Sequence, residues 1–211
     1  MPGIFVTFEG GEACGKSTQI ARLAKKLESM GQPVVLLREP GSTPAGEMIR
    51  QILLHSDPGI NLRAKTELLL FAASRAQMVE EIALPALQAG KLVLADRFTD
   101  STTVYQGFAR GLDLKFLRQL EDFVCSGARP DLTFLLDLDL ETMKKRQLRR
   151  VRPVDATDRM EQLPIEFHRR VREGYLQLAQ EFPDRIRLIN AARPEIEVEA
   201  EIWKEMNALL S

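Results

Sequence analysis

Cysteine and histidine are scarce in this chain of 211 residues, and its charges almost cancel. The two cysteines, Cys14 and Cys125, are too few for a disulfide framework or a four-ligand metal site. The two histidines leave little room for histidine-based catalysis. His55 precedes the turn sequence Ser56-Asp57-Pro58-Gly59, and His168 stands on an expected helix beside Arg169 and Arg170, so both read as structural. Lys+Arg 29 against Asp+Glu 30 gives a net charge of -1, which provides no basic field to recruit nucleic acid. No apolar run approaches the ~20 residues that span a bilayer, so no membrane association is expected. Met1-Pro2-Gly3 leads into an expected core strand with no basic leader or cleavage signal. A reduced, cytoplasmic protein is the expectation.

What is present is a loop built for phosphate. Gly10-Gly11-Glu12-Ala13-Cys14-Gly15-Lys16-Ser17-Thr18 fits G-x-x-x-x-G-K-[ST]. It follows the apolar run Ile4–Phe8 and opens an amphipathic stretch with Ile20, Leu23, Ala24 and Leu27 at helical spacing. Strand, glycine-bounded loop and helix form the setting in which successive N–H groups turn inward onto phosphate oxygens. The helix N-terminus adds partial positive charge, Lys16 reaches the terminal phosphates, and Ser17 can hold Mg²⁺.

The remaining chain alternates between strand-like and helix-like stretches, with no repeats or low-complexity segments. This predicts an α/β fold of the P-loop NTPase kind, a five-stranded parallel sheet with helices on both faces. The strands are read at Ile4–Phe8, Val34–Leu37, Leu92–Ala95, Leu132–Leu136 and Ile186–Ile189. A helical pattern over about 62–89 is expected to bend or end at Pro85. The whole of 1–211 is expected to be one domain with a mobile lid inserted at about 146–158. Ligands of open parallel sheets bind beyond the carboxyl ends of the strands, so the loops after the first four should share one cleft.

Phosphoryl transfer needs a Mg²⁺ partner, cationic clamps and exclusion of water. Asp96, directly after a buried strand and beside Arg97, is the favoured metal-associated carboxylate, with Asp137 after the fourth strand as competitor. Phe71 and Arg75 are four apart on one helix face. They suit an aromatic plate with a forked donor for a base, or a core phenylalanine beside a solvated arginine. Tyr105-Gln106-Gly107 reads as a loop or as a site whose glutamine, donor and acceptor together, reads a base edge. The basic run Lys144–Pro153 is either a solvated face or a lid whose arginines approach the transferring phosphate on closure.

Five blocks in order carry a resemblance. They are the phosphate loop, Arg38-Glu39-Pro40-Gly41, Phe71–Gln77, Asp96-Arg97-Phe98 with Ser101-Thr102 and Tyr105-Gln106-Gly107, and Asp158–Gln162. Together the chain resembles the bacterial thymidylate kinases. The resemblance implies transfer of the γ-phosphoryl group of MgATP to dTMP, for dTTP synthesis, in a cytoplasmic homodimer. It implies that Lys16 and the amides of Gly10–Thr18 bind ATP, with Ser17 and Asp96 near Mg²⁺. Glu12 would contact the acceptor's 3′-hydroxyl, while Arg50 and Arg97 hold its phosphate. Phe71 would stack on thymine, Arg75 and Gln106 would hydrogen-bond its edge, and Tyr105 would crowd the 2′ position. Glu39 and Ser101 would join the acceptor site, Glu39 and Asp96 would arrange Mg²⁺, water and the arginines, and the catalytic arginine would come from the lid, as Arg150 or Arg152.

The chain departs from the family pattern in places. Ala13-Cys14 replaces Gly-Ala, removing a glycine suited to positive φ. Ser74 stands where an aspartate precedes the base-reading arginine, which predicts a less firmly oriented Arg75. Met78 replaces a common histidine, and Val154-Asp155 replaces Arg-Gly in the lid. Two alternatives follow: a kinase for another nucleotide or deoxynucleoside, and a non-catalytic nucleotide-binding homologue.

Overall fold

The structure is a computed structural model that describes residues 3–55, 60–149 and 158–210. Five parallel strands, β1 (Ile4–Glu9), β2 (Val34–Arg38), β3 (Leu92–Asp96), β4 (Leu132–Asp137) and β5 (Ile186–Asn190), lie in the order β2-β3-β1-β4-β5. Alternation along the strands divides the core between the two faces. Val6, Phe8, Leu92, Leu94, Phe134 and Leu136 pack on α1 (Lys16–Ser29) and α9 (Glu195–Leu210). The intervening Phe5, Val93 and Ala95 pack on the other face, against α3 (Ala64–Met78) and α6 (Leu114–Cys125). The central strands are apolar at nearly every position because both faces are covered.

Register fixes where the loops emerge. Asp96 is level with Phe8 on one side and Arg38 on the other, so β1, β2 and β3 end together. Two further hydrogen bonds, Arg97 N–H to Phe8 O and Glu39 N–H to Asp96 O, carry the ladder one residue beyond the strands. The loops from Gly10, Glu39 and Arg97 therefore open onto one edge.

Pro85 neither ends the long helical stretch nor sharply breaks it. A π-helical turn, Val79–Ala83, follows α3 and passes into α4 (Leu84–Gln88), which takes the proline in its first two positions. The wider turn accommodates a residue with no N–H to donate. A second π turn, Thr103–Ala109, follows α5 (Thr99–Thr102) and carries Tyr105 and Gln106, both buried. The loop alternative for this segment is thereby replaced by helix. Opposite it, Gly174 of α8 (Ile165–Glu181) sits where an added Cβ would lie 3.1 Å from the Phe108 ring, so glycine lets α8 approach.

Candidate active site

The loop between β1 and α1 holds its shape through residues at positive φ: Gly10 at 135°, Ala13 at 57° and Gly15 at 97°. A Cβ at Gly10 would fall 2.4 Å from the Leu136 carbonyl oxygen, so only glycine fits there. Ala13 takes a left-handed conformation that favours glycine. Lys16 folds over the loop, its Nζ donating to the carbonyls of Gly11 at 2.9 Å and Gly10 at 3.2 Å. Ser17 Oγ donates to Asp96 Oδ2 at 2.9 Å, bringing the two expected metal-associated groups together. The competitor, Asp137, is instead closed by a two-pronged pair with Arg172 of α8, at 2.7 and 2.8 Å.

The loop forms one wall of a cavity of about 610 Å³. Residues 12–18 line it together with Glu39, Arg50, Phe71, Arg75, Asp96, Arg97, Ser101, Tyr105 and Gln106. Gly10 and Gly11 support this wall from behind and line a small adjoining cavity. The helix α2 (Pro44–His55) places Arg50, whose Nη1 donates to Pro40 O at 2.8 Å. Burial and the neighbouring Arg38 both lower the proton affinity of Arg50.

Arg97 has φ 73°, a strained conformation for a non-glycine residue. Its guanidinium is held by Glu12 Oε1 at 2.8 Å, Gly10 O at 2.9 Å and Tyr175 OH at 3.2 Å. Glu12 also accepts from Tyr105 OH at 3.0 Å. Burial alone would raise the Glu12 pKa, but Arg97 and Lys16 bring it below the usual carboxylate range. Behind this pair, Glu9 accepts from Phe98 N–H at 2.7 Å, Ser101 Oγ at 2.6 Å and Tyr175 OH at 2.8 Å. Burial, with the nearby Asp100, pushes the Glu9 carboxyl up.

Arg75 is fully buried between two carboxylates. It meets Glu39 at 2.6 Å and Glu121 at 2.5 Å, and its Nη2 also donates to Thr102 Oγ1 at 2.9 Å and Phe98 O at 3.2 Å. The expectation of a loosely oriented Arg75 is overturned, because the glutamates hold it. Ser74 has another partner, accepting from Gly41 N–H at 3.1 Å. Burial raises the Glu39 pKa to about 7 despite Arg75. Phe71, half-buried, lies one turn before Arg75 on the cavity wall.

Sequence reasoning passed over Glu67, Glu121 and Tyr175. Glu67 is completely buried and accepts from Gln106 Nε2, Arg110 and Arg159. Its four-residue spacing from Phe71 and Phe71's from Arg75 was the available signal. Arg146, from the basic run, donates to Ala191 O at 2.8 Å and reaches Ala13 O at 3.5 Å, tying the phosphate loop to the segment after β5. Arg150, Arg152, Val154 and Asp155 lie outside the described residues. Downstream, Arg159 donates to Leu53 O at 3.0 Å and Glu67 at 2.7 Å, anchoring the return of the chain on α2 and α3.

The thymidylate kinase family profile matches residues 8–202. The chain belongs to the thymidylate kinase family. A thymidylate kinase of Deinococcus radiodurans is 48% identical over 201 residues, covering 95% of each chain. One of Halothermothrix orenii is 47% identical over 210 residues, covering 100% of this chain and 99% of the relative. A crystal structure of thymidylate kinase from Ehrlichia chaffeensis superposes with a TM-score of 0.77 at 33% identity, covering 98% of this chain and 99% of the other. The family is one of kinases, so the fold and reaction class expected from the residues stand. No described helix is long and apolar enough to cross a membrane.

Proposed function

We propose that this chain transfers the γ-phosphoryl group of ATP to dTMP, giving dTDP and ADP. One observation carries the reading. A single cavity joins a phosphate loop to a wall that presents Phe71, Gln106, Arg50 and Arg97. Lys16 and the loop amides bind the ATP phosphates, and Lys16 must leave the Gly10 and Gly11 carbonyls to do so. Arg50 and Arg97 hold the acceptor phosphate, Phe71 stacks on thymine, and Glu12 meets the 3′-hydroxyl. Tyr105, anchored on Glu12, crowds the 2′ position. The reaction asks little covalent chemistry of the protein, so positioning and charge carry the catalysis.

The hydroxyl–carboxylate pair Ser17–Asp96 suits Mg²⁺, which takes few protein ligands and completes its shell with phosphate and water. Ser17 and Asp96 would hold that ion, which neutralises charge on the phosphates when bound. Arg150 or Arg152 supplies the remaining positive charge from a lid at about 146–158. The protein acts in the cytoplasm as a homodimer. The dimer is supported by exposed apolar side chains on adjacent helices: Leu69 on α3, with Phe116 and Phe123 on one face of α6.

The test is ADP release from MgATP, coupled to an optical readout, with each nucleoside monophosphate offered in turn. Turnover concentrated on dTMP is expected. Turnover on another acceptor would discard the base-reading roles, and tight dTMP binding without turnover would make the chain a non-catalytic homologue.

A further inference from the structure

Gln106 has two chemically different ends, and which one faces the cavity decides which base it accepts. A glutamine free to rotate would offer its carbonyl to the N3–H of thymine or its NH₂ to the bare N3 of cytosine. Here one end is taken. Gln106 Nε2 donates to Glu67 Oε1 at 2.9 Å, in a site where Glu67 has no solvent exposure. Both Glu67 oxygens are further occupied by Arg110, at 3.2 and 3.1 Å, and Arg159, at 2.7 Å. Burial would raise the Glu67 pKa, but the bonds from Arg110, Gln106 and Arg159 bring it below the usual range. An ionised carboxylate only accepts, so the NH₂ end of Gln106 must face it. Gln106 Oε1 accepts from no described residue, and it lies on the opposite side of the amide in a residue that lines the cavity.

We propose that Glu67 is a positioning residue for specificity: it locks the Gln106 amide with Oε1 toward the base, selecting acceptors that carry an N3–H. This rests on the dTMP reading above. Thymine and uracil present N3–H there, whereas cytosine presents an N3 lone pair against a carbonyl oxygen. Turning the amide to suit cytosine would set Oε1 against the Glu67 carboxylate. Such a mismatch loses a charge-assisted hydrogen bond and buries two facing acceptors. The two arginines prevent Glu67 from moving away to relieve it, and Arg159 links this lock to the segment that follows the lid.

The experiment compares kcat/KM for dTMP and for 5-methyl-dCMP, at saturating MgATP, in wild type and Glu67→Gln. The two nucleotides share sugar, phosphate and methyl group, and differ only at C4 and N3. A Gln at 67 can donate to Gln106 Oε1 and turn its NH₂ to the cavity, so the dTMP preference should fall by about 10- to 100-fold. In the double variant Glu67→Gln/Gln106→Glu the donor–acceptor pair is reversed, an acceptor again faces the base, and the preference should return. A merely structural Glu67 would depress both acceptors alike; an unchanged ratio in folded E67Q overturns the proposal. If E67Q does not fold, Gln106→Leu, which leaves Glu67 on both arginines, should lose the preference, and its retention overturns the proposal equally. Failure of wild type to phosphorylate dTMP overturns the acceptor reading itself, whereas wild-type turnover with an insensitive ratio overturns this inference alone.

Discussion

Around the phosphate loop the cavity wall is mostly backbone, whereas the half facing α3 is mostly paired side-chain charge. The first half owes its form to positive φ at Gly10, Ala13 and Gly15, and its one large cation, Lys16, bonds only carbonyls and sulfur of its own loop. The second half contains Glu39 and Glu121 with Arg75, and Glu67 with Arg110 and Arg159, while Arg97 reaches across to Glu12 of the loop. Burying such pairs costs desolvation that their attraction barely repays, so stability alone does not account for them. What they supply is orientation: side chains with many rotamers are held in place before a ligand arrives. A triphosphate is recognised through repeated identical oxygens, for which a ring of amides suffices. A base must be told from similar bases, which takes fixed donors and acceptors.

The sharpest way to break this comparison is Lys16→Ala. Transfer should fall by about 10²–10³-fold in kcat, the loss typical of removing one donor to developing charge. The thermal midpoint should barely move, since Lys16 bridges no other part of the fold. Undiminished turnover in the coupled assay would remove the phosphate loop from the reaction.

The charged half can be tested through its protons. Glu39 has its pKa raised from 4.5 to about 7 by burial, so the folded protein binds this proton more tightly than the unfolded chain. Its contribution to stability is therefore full below pH 4.5 and is lost as pH rises through about 7. Across that window the change is roughly 3 kcal/mol for the shift given. Urea unfolding of Glu39→Gln between pH 4.5 and 7.5 should show a flatter stability profile than wild type, because glutamine stays neutral throughout. An identical slope in both proteins would place the proton elsewhere in the Arg75 cluster.

Phe71→Ala sharpens the comparison from the acceptor side. Stacking on a base is worth about 1–3 kcal/mol, so the KM for dTMP should rise by about 5- to 150-fold. The KM for ATP should stay within about twofold, because Phe71 stands on α3 and contributes nothing to the phosphate loop. Equal losses for both substrates would refute the stacking role.

The two halves also differed in how far they could be read beforehand. The phosphate loop is contiguous, and its partner Asp96 follows a buried strand, so local pattern and sheet topology located both. The Arg75 cluster joins Glu39, Arg75 and Glu121, which come from the end of β2, from α3 and from α6 and meet only in the folded chain. No periodicity in one segment announces such a partnership, so a solvated Arg75 stayed open as an alternative although the residue is buried. Glu67 failed differently: its spacing from Phe71 was visible, but a helical glutamate ordinarily faces solvent. The π turns before Pro85 and under Gln106 were equally hidden, since a wide turn is set by tertiary contact more than by propensity.

The smallest expected effect concerns Ala13, the non-glycine residue that the backbone half holds at positive φ. Holding alanine at φ 57° costs about 1 kcal/mol relative to an ordinary conformation. Ala13→Gly removes that strain, but glycine gains freedom in the unfolded chain worth about 0.4–1 kcal/mol, and a buried methyl is lost. These terms nearly cancel, so the stability measured by urea unfolding should change by less than about 1 kcal/mol. Gly10 and Gly15 flank the position and already set the course of the loop, so the KM for ATP should shift by less than about threefold. A much larger gain in ATP affinity would mean that strain at Ala13 holds the amides away from their phosphates. The backbone half would then be, like the charged half, a site whose geometry depends on one particular side chain.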